Sequence, residues 1–134
     1  MCHRRSFSAL IVLTVLLTLV AGCASKTTPG TIPGPSTGGN TITVTAAGMA
    51  FDTSTITVSA GAHVTITFIN NDSGVRHNVA FYTSAAATTV INIGGMTTGV
   101  STLTYTFDAP TTPGTYFFRC DVHPSTMTGE FIVQ

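Results

Sequence analysis

The stretch Tyr116-Phe117-Phe118-Arg119-Cys120-Asp121-Val122-His123-Pro124-Ser125-Thr126-Met127 decides how this chain reads. Its first half alternates, with Tyr116, Phe118 and Cys120 on one face, as a β-strand does. Its second half is a short loop. Within eight residues it offers a thiol, an imidazole and a thioether in the spacing Cys-x2-His-x3-Met. A second imidazole, His77, lies 43 residues upstream beside the alternating positions Val79 and Phe81. Alternation places His77 and Cys120 on the interior faces of their strands, so a rigid sandwich could bring them together. Thiolate and thioether suit Cu(I), and imidazole suits both oxidation states. Three strong donors with a weak axial thioether point to one copper ion of the electron-transfer type, held by His77, Cys120, His123 and Met127.

The same alternation extends outward from this stretch. Ile42 and Val44 alternate with threonines, as do Ile56 and Val58. Val64, Ile66 and Phe68 oppose His63, Thr65 and Thr67, and Leu103, Tyr105 and Phe107 oppose Thr102, Thr104 and Thr106. Phe131 and Val133 close the chain. Turn signals separate the runs at Ala60-Gly61, Asn70 to Gly74, Gly94-Gly95 and Ala109 to Gly114. The pattern predicts an all-β fold, a two-sheet antiparallel Greek-key sandwich of seven or eight strands, over residues 41–134. Ser84 to Val100 is the least regular part and reads as a loop, a short strand or one helical turn.

Ahead of this domain the composition changes twice. Residues 1–22 combine Arg4 and Arg5 with an apolar run from Ala9 to Val20, which is a secretory signal pattern. The run is short for a membrane span, which needs about 20 residues. Val20-Ala21-Gly22-Cys23 resembles a bacterial lipobox, which makes Cys23 the expected acylation point. Two or more acyl chains there would hold the protein on a membrane. Residues 23–40 then carry Pro29, Gly30, Pro33, Gly34, Pro35, Gly38 and Gly39 and read as a flexible tether. As a coil the tether spans on the order of 20–25 Å. The expected location is extracytoplasmic, on the periplasmic or exterior side of a membrane.

Without the leader, Lys26, Arg76 and Arg119 face Asp52, Asp72, Asp108, Asp121 and Glu130, a net charge of −2. Nucleic-acid binding needs a basic face and is excluded on this balance. Cys120 is the sole cysteine of the domain once Cys2 and Cys23 are set aside, so no disulfide forms within it. The carboxylates show no pairing that suggests acid–base catalysis, and no phosphate-binding loop or zinc CxxC pair occurs. The expectation is an electron carrier, not an enzyme, working as a monomer between a redox donor and an acceptor. His63 sits on the threonine face and is not counted as a ligand. Met49 and Met96 read as packing residues, with a place at the border of the copper end as the alternative for either, and Pro124 with the edge of His123 as part of an apolar docking patch.

The residues also resemble a known family. Gly48-Met49-Ala50-Phe51, the run from Ile56 to Asp72, His77-Asn78-Val79 and Gly114 to Met127 are similar to the matching segments of the cupredoxins, the blue copper proteins of the plastocyanin and amicyanin type. The resemblance covers residues 41–134. It implies His77, Cys120, His123 and Met127 as copper ligands, and Asn78 as the residue that ties the two ligand segments by hydrogen bonds. Departures are visible. Plastocyanins have one more residue between loop histidine and methionine, and amicyanins one fewer. Arg119 stands where plastocyanins place a tyrosine, which gives no support to docking of their kind. Copper chaperones or storage lipoproteins on the same fold are the alternative, and a metal-free scaffold is a third reading that leaves the four donors without a purpose.

Overall fold

The computed structural model describes residues 40–134. The expected signal peptide over 1–22, the expected acylation point Cys23 and the expected tether as far as residue 39 lie outside the described residues. Asn40, assigned to the tether from its composition, instead opens the first strand, where its backbone faces Val64.

Eleven strand segments follow one another: β1 Asn40–Ala47, β2 Ala50–Phe51, β3 Thr55–Val58, β4 His63–Asn70, β5 Arg76–His77, β6 Ala80–Tyr82, β7 Val90–Ile93, β8 Thr97–Thr98, β9 Ser101–Asp108, β10 Gly114–Arg119 and β11 Thr128–Val133. Three of them are two-residue pairings, and the other eight match the expected count. One sheet runs β2-β1-β4-β9 and the other β3-β11-β10-β6-β7, with β5 and β8 as a separate two-stranded ribbon. The Ser84–Val100 region resolves into a turn and the short strands β7 and β8.

The sheets are mixed, not wholly antiparallel as the threonine pattern suggested. β1 runs parallel to β4, and β3 runs parallel to β11. The reason is a change of sheet. After β2 the chain leaves the first sheet, runs as β3 at the edge of the second, and returns as β4 in the same direction as β1. Side-chain alternation reports which face is buried, not the direction of a neighbouring strand.

The core sits where the two inner faces meet. Val64, Ile66 and Phe68 of β4 are fully buried, while His63 is exposed on the outer face and pairs with Asp108 at 2.7 Å. Phe81 is the hub of an aromatic cluster, with ring centroids 4.7 Å from Phe107, 5.0 Å from Phe131 and 6.0 Å from Phe118. Each buried phenylalanine contributes roughly 1.5–3 kcal/mol through area removed from water. This core is continuous with Cys120 and Met127, so the end of β10 is anchored on the sandwich itself.

One buried amide shapes the end of the sandwich that carries the ligand candidates. Asn70, the last residue of β4, donates to the carbonyls of Val75 and Thr97 at 2.9 and 3.0 Å. Its Oδ1 accepts the Asp72 N–H at 3.0 Å. The loop before β5 is thereby stapled to β8. Gly99 completes the junction, because a Cβ there would lie 2.4 Å from the Asp72 carbonyl oxygen and 2.8 Å from Asn70 Oδ1. Only glycine allows that approach.

Candidate metal centre

His77 enters on β5, whose partner across the ribbon is Thr97 of β8. Cys120 follows directly on β10, and its side chain points inward for a local reason. Arg119 and Asp121 flank it, and the Arg119 Nε donates to Asp121 Oδ1 at 2.9 Å. Two neighbours joined on the outside leave the intervening thiol facing the core, where it is 0 % exposed. The loop then closes on itself. Met127 N–H donates to the His123 carbonyl at 3.0 Å, and Cys120 N–H donates to the Met127 carbonyl at 2.9 Å.

These constraints bring three donor atoms together. His77 Nδ1 lies 3.6 Å from Cys120 Sγ and 3.1 Å from His123 Nδ1, and His123 Nδ1 lies 3.9 Å from the same sulfur. The point equidistant from the three atoms falls about 2.1 Å from each on those separations, against roughly 2.0–2.1 Å for a zinc–imidazole bond and about 2.3 Å for a zinc–thiolate bond. The triangle therefore has the size of a first-row transition-metal site. Met127 is 1 % exposed and belongs to the same buried cluster as Cys120.

The orientation of His77 is fixed from behind. Its Nε2 lies 2.9 Å from Asp72 Oδ2. The Asp72 carboxyl is held below the usual carboxylate range by the backbone N–H groups of Met49 and Gly48, and then by His77 itself. A carboxylate only accepts, so Nε2 carries the proton and Nδ1 presents a bare lone pair to the other donors.

Asn78 follows His77 directly and reaches across to the loop after Cys120. It is fully buried, its Oδ1 accepts the Asp121 N–H at 2.8 Å, and its Nδ2 donates to Asp121 Oδ2 at 3.1 Å. The residue after His77 is thus tied to the residue after Cys120. Tyr82 joins the same carboxylate through its hydroxyl at 2.7 Å, and the Arg119 guanidinium stacks 4.8 Å over the Tyr82 ring. Burial pushes the Asp121 carboxyl up, but the bonds from Asn78, Tyr82 and Arg119 outweigh it and hold the group low. Burial and the Asp121 acceptor together raise the Tyr82 phenol.

Two expectations need correction. Met49 and Met96 are 54 % and 41 % exposed and do not pack in the core. Met49 stands in the turn at the tip of the β1–β2 hairpin, and Met96 in the irregular link between β7 and β8, both on the outside of the sandwich. Sequence reading also passed over Asp72, which looked like an ordinary turn residue in Asn70 to Gly74, and Tyr82, which lies on another strand from the residues it touches. The opposite charges of Arg119 and Asp121, two apart around an inward cysteine, were a usable signal.

Comparison with known proteins agrees with this geometry. A family profile for the cupredoxin-like domain matches residues 9–133. Auracyanin-A of Chloroflexus aurantiacus is 29% identical, over 93% of this chain and 94% of its own. The solved structure of auracyanin A, described as a "blue" copper protein, covers 72% of this chain and 100% of its own at 30% identity, with a TM-score of 0.65. Auracyanin of Roseiflexus castenholzii covers 71% and 97% at 27% identity and the same TM-score of 0.65. A reduced Cu(I) amicyanin variant covers 70% and 82% at 30% identity, with a TM-score of 0.50. With a profile that spans nearly the whole chain and a donor triangle of transition-metal size, the chain belongs to the cupredoxin-like family, and copper is its cofactor.

Proposed function

We propose that this protein is a blue copper electron carrier, lipid-tethered at Cys23 on the outer side of a membrane, with His77, Cys120, His123 and Met127 as the copper ligands. The convergence of two imidazole nitrogens and one thiol on a single point carries the reading. Copper supplies, when bound, a one-electron couple between Cu(I) and Cu(II).

The chain's own residues do the rest. The Cys120 thiol, shut off from solvent, offers a thiolate that no outside thiol or oxidant reaches. His77 is held in one tautomer, and the closed loop from Cys120 to Met127 keeps the donors in place whichever charge state they face. Such a site needs little reorganisation on electron transfer. The buried position of Met127 at the end of the loop, in one cluster with Cys120, supports its assignment as the fourth residue that would hold the copper. His123 is only half-buried, and Val122 and Pro124 beside it are exposed. Its ring edge therefore gives the shortest way out for an electron, within a small apolar surface where a redox donor or acceptor docks. The full enclosure of Cys120 weighs against a chaperone or store that hands the metal on.

The optical spectrum tests the reading. The copper-treated protein is expected to show an intense visible band from thiolate-to-Cu(II) charge transfer, and Cys120→Ser to abolish it. A colourless copper complex, with Cys120→Ser binding copper equally well, would overturn the assignment.

A further inference from the structure

Asp72 sits between the surface and the buried ligand His77. Its Oδ2 accepts from His77 Nε2 at 2.9 Å and from the Met49 N–H at 2.9 Å, and its Oδ1 accepts from the Gly48 N–H at 2.5 Å. Gly48 and Met49 have φ of +63° and +60°. Consecutive N–H groups in that conformation converge into a cradle for an anion. Met49 is not glycine, so its left-handed backbone is unusual and is held there against a conformational preference. His77 is fully buried, and no water reaches its ring. Among the described residues Asp72 is the partner for Nε2.

We propose that Asp72 is a positioning residue for His77: it fixes the Nε2–H tautomer, aims the Nδ1 lone pair at the copper position, and favours the oxidised state, while the exposed tip of the β1–β2 hairpin locks the carboxylate in place. This inference rests on the copper reading above. A carboxylate behind a metal-bound imidazole fixes the ring and raises its basicity. Its negative charge, in a partly buried position, stabilises Cu(II) more than Cu(I). The hairpin tip thereby reaches a buried ligand through one carboxylate, although neither Gly48 nor Met49 touches the metal position.

Two variants of the full chain test it, Asp72→Asn and Asp72→Ala. The first keeps the shape of the side chain and removes its charge, and the second removes both bonds and charge. In copper-free protein, nitrogen NMR of the His77 ring is expected to show only the Nε2–H tautomer in the parent and a mixture in Asp72→Ala. In copper-loaded protein, Cu(II) affinity is expected to fall by about 10–100-fold. Cu(I) affinity falls about tenfold less, which raises the reduction potential by about 59 mV for a one-electron couple. Equal losses of Cu(I) and Cu(II) affinity, leaving the potential where it was, would mean that Asp72 merely supports the fold and would overturn the proposal. An unchanged tautomer in Asp72→Ala would do the same. A parent protein that takes up no copper would refute the copper reading instead, and the tautomer measurement would still judge Asp72.

Discussion

Asn78→Ala removes the side chain that ties the residue after His77 to the residue after Cys120. Two bonds are lost, one from the Asp121 N–H to Asn78 Oδ1 at 2.8 Å and one from Asn78 Nδ2 to Asp121 Oδ2 at 3.1 Å. A neutral bond contributes about 1 kcal/mol net, and a bond to a charged group about 1.5–3 kcal/mol. The Asp121 carboxylate keeps Tyr82 and Arg119 and is about a quarter exposed, so its lost bond belongs at the low end of that range. Among the described residues the Asp121 N–H has no other acceptor. The expected cost is therefore about 2–3 kcal/mol. For a domain of this size each kcal/mol lowers Tm by roughly 4–8 °C, so Tm falls by about 10–20 °C. Urea unfolding of the copper-free protein, followed by circular dichroism, measures it. The midpoint should fall with the slope m unchanged, since the surface exposed on unfolding is the same. Copper affinity should fall as well, by about 10–100-fold, because His77 and Cys120 are no longer held at a set separation. A loss under about 0.5 kcal/mol, in the range of ordinary surface substitutions, would refute the reasoning that this amide is the tie.

Acid should act through the two carboxylates beside the site. Asp72 and Asp121 both lie below the ordinary carboxylate range in the folded protein. Groups depressed on folding stabilise it above their unfolded pKa of about 3.9 and lose that contribution as pH falls through the folded value. The urea midpoint of the copper-free protein is expected to be insensitive to these groups from pH 7 to about 5 and to drop below about pH 4, with a shallower drop in Asp121→Asn; the same acid slope in that variant would contradict the assignment. Cys23→Ser is expected to move the protein from the membrane to the soluble fraction of its native host, because the acylation point is gone; retention on the membrane would show that another segment anchors it.

Much of this was legible in one dimension. Alternation in β4 and β9 announced buried and wet faces, because a strand's side chains change sides at every residue. Cys120, His123 and Met127 were legible as a unit because a single short loop carries all three, so proximity in sequence guarantees proximity in space. What sequence could not carry was partnership across segments. The parallel pairing of β1 with β4 depends on where the chain changes sheet between β2 and β3, and no residue pattern marks a neighbour's direction. The carboxylate of Asp72 lies 5 residues before His77 and 23 after Met49, and the loop between β4 and β5, stapled by Asn70 to β8, turns it toward both. Tyr82, Arg119 and Asp121 likewise meet because β6 and β10 are paired in register, with Phe117 opposite Tyr82. Donor identity is chemistry that each residue carries with it, so the sequence determined which metal this chain suits. The separation and orientation of those donors, the tautomer of His77 among them, are properties of packing, and the tertiary structure decided them.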